Sequence, residues 1–346
     1  KEPGRTPWQP PARVGSAPWP SAPARPRRQR AVQRVPFGPF RRGEFPAPPL
    51  KLVHDLARLD DVPLLLEQSG QVQVDAQIVL EDFEGLAVGQ LRFVESYLAP
   101  TLRDFLSARP GVRLLYIPGN HDWIPAVKRF EEALPGAMNI HARTVSLNGH
   151  DFLGYACVTD STFWVKDYAR RDRTADPYVP SRFAIVSGTD RLLESPGGEY
   201  AQNSASMEED LSGVRFDAPG RAICVFHCPP YDTGLDTLHN GRPIGSRAIR
   251  SFLEDRQPLL SLHGHIHEAP YMSGFFRTRI GKTTAANPGC NPETLHALIL
   301  DTDDPEASLT HTVFGKIMPM GDMHGLMPER RMRKVKAFFM ERVLKG

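Results

Sequence analysis

The chain alternates between short apolar runs that stop at turn residues or histidines and longer stretches whose apolar positions are spaced for helices. Three runs stand out: Val112-Arg113-Leu114-Leu115-Tyr116-Ile117 before Pro118-Gly119, Ala222-Ile223-Cys224-Val225-Phe226 before His227, and Pro258-Leu259-Leu260-Ser261-Leu262 before His263. Runs of four to eight apolar, β-branched or aromatic residues with such endings predict buried strands. Thr144 to Tyr155 alternates around Asn148-Gly149 and predicts a hairpin. Upstream, Lys51 to Arg58, Asp60 to Gln68 and Val74 to Asp82 predict a strand, a helix and a second strand, the βαβ arrangement. Near the end, Met332, Val335, Phe339 and Val343 share one stripe of Glu329 to Leu344 with Arg and Lys opposite, which predicts a basic amphipathic helix. That stripe packs on the main domain or, on a sharper reading, meets a membrane surface or a partner.

Strands interleaved with helices predict an α/β fold, and in open α/β sheets ligands collect beyond the carboxyl ends of the strands. The strings at those ends are GNHD at Gly119 to Asp122, HCPP at His227 to Pro230 and GHIH at Gly264 to His267. Together they offer the amide oxygen of Asn120 and the imidazoles of His227, His265 and His267. A nitrogen and oxygen set without thiolate suits Mn, Fe, Zn or Ni rather than Ca or an iron–sulfur cluster. His265 and His267 are two apart, so on an extended segment both rings face one side and reach neighbouring ions. Each histidine alone reads as an ordinary hydrogen-bonded side chain; three such strings at three strand ends point to a metal site.

The strings resemble the signatures of the calcineurin-like metallophosphoesterases. GNHD matches that family's third signature, the single His after an apolar strand its fourth, and GHIH its fifth. The likeness runs from roughly Leu50 to Gly315 and takes in Asn287-Pro288-Gly289, a loop often seen near the end of the bacterial members. It implies a four-layer αββα sandwich of two mixed β-sheets flanked by helices. It also implies hydrolysis of a phosphomonoester or phosphodiester by a water activated between two divalent ions roughly 3.5–4 Å apart. By the same likeness His121 is not a ligand but protonates the leaving oxygen or steadies the phosphoryl group, with Asp122 orienting its ring.

The family's first two signatures, D-x-H and GD, are where the sequence departs. Asp55 is the candidate for the first carboxylate, but Ala57 stands where the His is expected; Asp82 is the candidate for the metal-bridging one, but Glu81 stands in place of Gly. One ion then keeps Asp82, Asn120, His227 and His265, while the other keeps Asp55, Asp82 and His267 and lacks its imidazole. His54 replaces it only if the backbone turns there, because neighbours on a strand point to opposite faces. Ala57 and Glu81 motivate a rival, a degenerate scaffold that binds metal or a phosphorylated ligand without turnover.

Composition adds boundaries. With 346 residues and 40% apolar content the chain can bury a full core, and residues 50–315 suffice for one metallophosphoesterase domain, followed by a C-terminal extension at 316–346. Residues 1–49 hold 13 of the 33 prolines and carry nine Arg and Lys1 against Glu2 and Glu44, a charge of +8 that leaves −6 for the rest of the +2 total. Such a segment predicts a disordered tail. Its charge suggests a second rival, a nuclease or nucleic-acid-binding protein that uses the tail, against the plainer reading of a dispensable extension. Four cysteines without C-x-x-C spacing indicate neither a disulfide framework nor a zinc knuckle, which favours a reducing, cytoplasmic setting. No apolar stretch approaches the ~18 residues of a membrane span and no signal-peptide core is visible. A small phosphorylated substrate is the expected partner. Tyr231, Asp232, Thr233, Arg242 and Arg247 are candidates to touch it, and Phe163 to Asp176 is a candidate overhang of the metal edge.

Overall fold

Two of the three apolar runs lie side by side as paired strands, Ala222–Phe226 and Leu260–Leu262, because buried strands whose two faces are both apolar satisfy their backbone groups only against other strands. The half-buried Leu114–Tyr116 pairs instead within a separate two-stranded sheet. A computed structural model describes residues 76–160, 165–177, 184–188, 192–195, 199–202, 204–290 and 294–316. Its centre is a six-stranded sheet built from β3 (Arg143–Leu147), β4 (His150–Tyr155), β9 (Ala222–Phe226), β10 (Leu260–Leu262), β11 (Arg277–Ile280) and β12 (Thr283–Ala286), in the order β11-β12-β10-β9-β4-β3. The inner four strands run parallel, and β3 and β11 close the edges antiparallel. Four two-stranded pieces accompany it: β1 (Leu114–Tyr116) with β2 (Ala137–Asn139), β5 (Val158–Thr159) with β6 (Ala169–Arg170), β7 (Ile185–Ser187) with β8 (Leu192–Glu194), and β13 (Leu298–Ile299) with β14 (Thr310–His311).

Register aligns the functional ends. Tyr155 pairs with Phe226, Val225 with Leu262, and Leu262 with Ala286. The residues that follow, Ala156, His227, His263 and Asn287, therefore leave the sheet along one edge. Alternation puts Ile223 with Leu260, Phe276 and Leu309 on one face and Cys224 and Phe226 on the other. That second face is covered by α4 (Arg247–Arg256), which buries Ala248, Ile249, Phe252 and Leu253 at helical spacing. Ile249, Phe252 and Leu253 each contribute about 1.5–3 kcal/mol on burial. The helix begins where Ser246 accepts from Ile249 N, and the carboxylate of Asp172 accepts from Arg247 N and Ala248 N. Thus Asp172, within the charged segment expected to overhang the metal edge, caps a helix; residues 161–164 lie outside the described set.

The hairpin forms as the sequence predicts, with Asn148 at φ 51° and Gly149 at φ 82° between β3 and β4. On β4 a glycine is required for another reason: a Cβ on Gly154 would meet Ile140 O at 2.4 Å and Ile117 Cγ2 at 2.7 Å. Its absence lets the segments that follow β1 and β2 lie against the large sheet.

One strand expectation is overturned. Val74 to Asp82 reads as a strand, yet residues from Ala76 onward form α1 (Ala76–Phe93), which passes through a π-helical turn at Val94–Leu98 into α2 (Ala99–Ser107). Over the longer window Leu80, Phe83, Ala87, Leu91, Val94 and Leu98 recur at helical spacing, and that period prevails over the β-branched pair Ile78-Val79. The residues described from Leu80 onward belong to one unit of the chain. The upstream strand and helix, the N-terminal tail and the C-terminal amphipathic helix fall outside the described residues. Among the described residues no helix is long and apolar enough to cross a membrane. All four cysteines are unpaired; Cys157, Cys224 and Cys228 are buried and Cys290 is exposed.

Between β2 and β3, burial and the nearby Arg170 and Arg143 push His141 from 6.5 down to about 4. Its Nδ1 accepts from Ala156 N at 3.0 Å, a bond that only the neutral ring can make. The unfolded chain therefore takes up a proton at a pH where the folded one does not. This contribution is complete above 6.5 and is lost as pH falls toward 4, at up to about 1.4 kcal/mol per pH unit. His141→Asn keeps an acceptor and removes the proton site, so its chemical-denaturation midpoint is expected to fall less steeply between pH 6.5 and 4.5 than that of the unsubstituted protein.

Candidate metal centre

Three segments remote in sequence converge at the aligned strand ends. β1 runs through Pro118-Gly119 to Asn120, whose buried amide oxygen Oδ1 lies 2.9 Å from His227 Nε2 and 3.1 Å from His265 Nδ1. The two imidazoles stand 5.2 Å apart, centre to centre. His227 is locked as the next rung of two ladders, its N–H donating to Tyr155 O and its carbonyl accepting from Gly264 N. Small residues surround it: a Cβ on Gly119 would come 3.5 Å from His227 Cε1, and one on Gly264 3.6 Å from its Nδ1.

The electrostatics suit a cation better than a proton. Burial, with the neighbouring rings of His265, His267 and His121, holds His227 down to about 3; burial and the rings of His267 and His121 hold His265 down to about 4. Both rings are therefore neutral near pH 7 and keep a lone pair for a Lewis acid. Burial pushes the Cys228 thiol up to about 12, so the adjacent sulfur offers no thiolate. Donors separated by 2.9 and 3.1 Å have the spacing of ligands about 2.1 Å from a single ion at roughly right angles. Asn120, His227 and His265 thus fit one face of a transition-metal site. Among the described residues no group of three His, Cys, Asp or Glu side chains is gathered to hold a metal ion, and the cluster of one amide and two imidazoles stands instead.

His121 and His267 are exposed at the rim. Desolvation lowers His121, Asp122 opposes that shift and His267 adds to it, so the three groups feel one another. Asp122 folds the loop on itself, its Oδ2 accepting from Gly119 N at 2.7 Å and its Oδ1 from Gln90 Nε2 at 3.2 Å. Burial raises its carboxyl, against the pull of Gly119 N–H and His121.

The extended segment expected through GHIH is not found. His265 sits at φ 64°, and Ile266 N–H donates across it to Gly264 O at 2.7 Å, so the motif is a tight turn around His265. An imidazole there faces Asn120 at a backbone cost of about 1–3 kcal/mol.

Among the other predicted residues, Asp55 and Ala57 lie outside the described set, and Asp82 lies within α1 rather than at a strand tip. The Tyr231 ring lies under the Arg247 guanidinium at 4.6 Å, while Arg242 is exposed and closes a turn with Leu238 and Asn240. Two contributors belong to no motif of the sequence, although Asp167 lies in the segment expected to overhang the metal edge. Gln90 of α1 donates to His121 O and Asp122 Oδ1 and accepts from Trp123 N at 2.8 Å, clamping the GNHD loop. The buried Asp167 accepts from Ile124 N, at the start of α3 (Ile124–Ala133), and from Ser187 N and Oγ. A lone Gln in a helix and an Asp in an irregular segment look like solvated polar residues until their partners are known.

The sequence profile described as calcineurin-like phosphoesterase matches residues 53–269. Two solved structures are similar at 16% identity. One aligns over 74% of this chain and 93% of its own with a TM-score of 0.38; the other, TT1561 of Thermus thermophilus, aligns over 65% and 78% with a TM-score of 0.34. Among curated proteins none matches.

Proposed function

The chain belongs to the calcineurin-like phosphoesterase family, and on that premise we propose that it hydrolyses a phosphomonoester or phosphodiester at a centre of two divalent ions, Mn, Fe, Zn or Ni. The observation that carries this reading is the meeting of Asn120 Oδ1 with His227 Nε2 and His265 Nδ1 from three distant segments. Those donors would hold one ion. His267, at the rim beside them, would turn toward the second, and Asp55 and Asp82 are proposed as the carboxylates, Asp82 from the first turns of α1. In the four-layer αββα arrangement proposed for the whole domain, β1 and β2 belong to the second sheet. When bound, the ions supply Lewis acidity toward the phosphoryl oxygen and lower the pKa of a water to near neutrality. His121 reaches the leaving oxygen or a phosphoryl oxygen from the rim, and Gln90, through Asp122 and the His121 carbonyl, fixes the backbone that presents it. Tyr231 and Arg242 are proposed to meet the substrate from the loop after HCPP.

One observation favours a second reading, a scaffold that binds metal or a phosphorylated ligand without turnover: Asp82 lies inside a helix, whereas the bridging carboxylate was expected at a strand end. Metal analysis after loading with Mn, with hydrolysis of p-nitrophenyl phosphate and bis-p-nitrophenyl phosphate, separates the two. The enzyme reading expects two equivalents of metal and turnover of at least one ester. A single equivalent with no turnover of either would replace it by the scaffold.

A further inference from the structure

Beyond the residues that face the metal, the loop after β12 holds the GHIH turn in shape. Asn287 is fully buried, and its Nδ2 lies 3.2 Å from Gly264 O and 3.1 Å from Ile266 O, the carbonyls on either side of His265, as well as 2.9 Å from Leu235 O. An amide nitrogen has two hydrogens, so at least one of these bonds is shared. The Asn287 Oδ1 accepts from Gly289 N at 2.8 Å, which folds the loop onto itself. Gly289, at φ 66°, brings the chain so near that a Cβ there would meet His267 O at 2.6 Å, and Cys290 N–H donates to that same carbonyl at 3.0 Å. Residues 287–290 thereby bind the carbonyls of Gly264, Ile266 and His267. On the far side, Pro288 O accepts from His296 Nδ1 at 3.0 Å and from the buried His311 Nε2 at 2.9 Å. His296 is backed in turn by Tyr271 OH at 2.9 Å.

We infer that Asn287 is a positioning residue for His265: its amide, in a loop braced at Pro288 by His296 and His311, maintains the strained turn that aims the His265 imidazole at Asn120. The turn at His265 is an unfavourable conformation for a non-glycine residue, and such conformations persist only where the surroundings over-determine them. An aspartate in place of Asn287 would keep the acceptor toward Gly289 but set an oxygen against three carbonyls. The assignment rests on the proposed metal-holding role of His265, while its first readout is independent of metal.

Hydrogen–deuterium exchange on the metal-free full chain tests it. In Asn287→Asp the peptide covering residues 263–268 is expected to exchange about tenfold faster or more, while peptides from β9 and α4 keep their rates. Gly289→Ala, which drives a Cβ against His267 O, is expected to give the same local pattern and serves if the first variant does not fold. With Mn added, the affinity of Asn287→Asp is expected to drop by about 10–100-fold, as for other groups that orient a ligand. Ile249→Val, which trims the α4 core, should lower the melting temperature yet leave both readouts unchanged. If 263–268 exchanges at the unsubstituted rate, or if all peptides accelerate alike, Asn287 is an ordinary core residue. If the unsubstituted chain binds no Mn while the local acceleration is seen, the metal reading fails and the positioning of the turn stands.

Discussion

Replacing His227 by alanine is expected to lower metal affinity by at least about 100-fold and to reduce phosphoester hydrolysis to background. The ring sits at the convergence of β9, the GNHD loop and the GHIH turn, and its Nε2 shares the Asn120 oxygen with His265. Groups that merely orient a metal ligand cost about 10–100-fold when removed, so loss of a ligand should exceed that range. The fold should persist, because His227 lies at the end of its strand and its backbone bonds to Tyr155 and Gly264 do not depend on the side chain. Isothermal titration with Mn, with circular dichroism as the control for folding, checks it. An affinity within threefold of the unsubstituted protein would remove His227 from the centre.

Substitution of His121 by alanine should divide the two parts of the site. Turnover is expected to fall by about 10²–10⁴, the range for a lost proton donor or acceptor at a reacting group, while metal stoichiometry stays unchanged. His121 is exposed at the rim and feels Asp122 and His267 electrostatically, whereas its neighbour Asn120 is buried and engaged with His227 and His265. Two adjacent residues of GNHD are thus proposed to have separate tasks, Asn120 toward the cation and His121 toward the substrate. Single-turnover kinetics with p-nitrophenyl phosphate, run with metal analysis on the same sample, check it; a loss of metal in proportion to the loss of rate would make His121 part of the metal site.

The strands that carry the second half of the candidate site were legible because their information is local. Each of the runs before Asn120, His227 and His263 is short, apolar on both faces and ended abruptly by a turn or histidine, and the structure places strands at Leu114–Tyr116, Ala222–Phe226 and Leu260–Leu262. What those runs leave open is how a motif bends between fixed ends. His265 and His267 have the spacing of one face of a strand, yet the carbonyls of Gly264, Ile266 and His267 are drawn to Asn287 and Cys290, and the backbone turns at His265. Bonds between residues more than twenty apart leave no mark on local periodicity. The strand expected from Val74 to Asp82 failed for a different reason: those nine residues suit a strand or a helix, and only the spacing out to Leu98 decides. Gln90 was invisible, and Asp167 was legible only as part of a candidate overhang, because their roles are defined by partners in other segments.

Asn120, His227 and His265 are proposed to share one cation. Anomalous diffraction from a crystal of the full chain soaked in Mn, recorded on both sides of the metal absorption edge, tests this directly. The expected result is a peak within about 2.3 Å of Asn120 Oδ1, His227 Nε2 and His265 Nδ1; a Mn peak elsewhere, with those three groups still bonded only to one another, would contradict it.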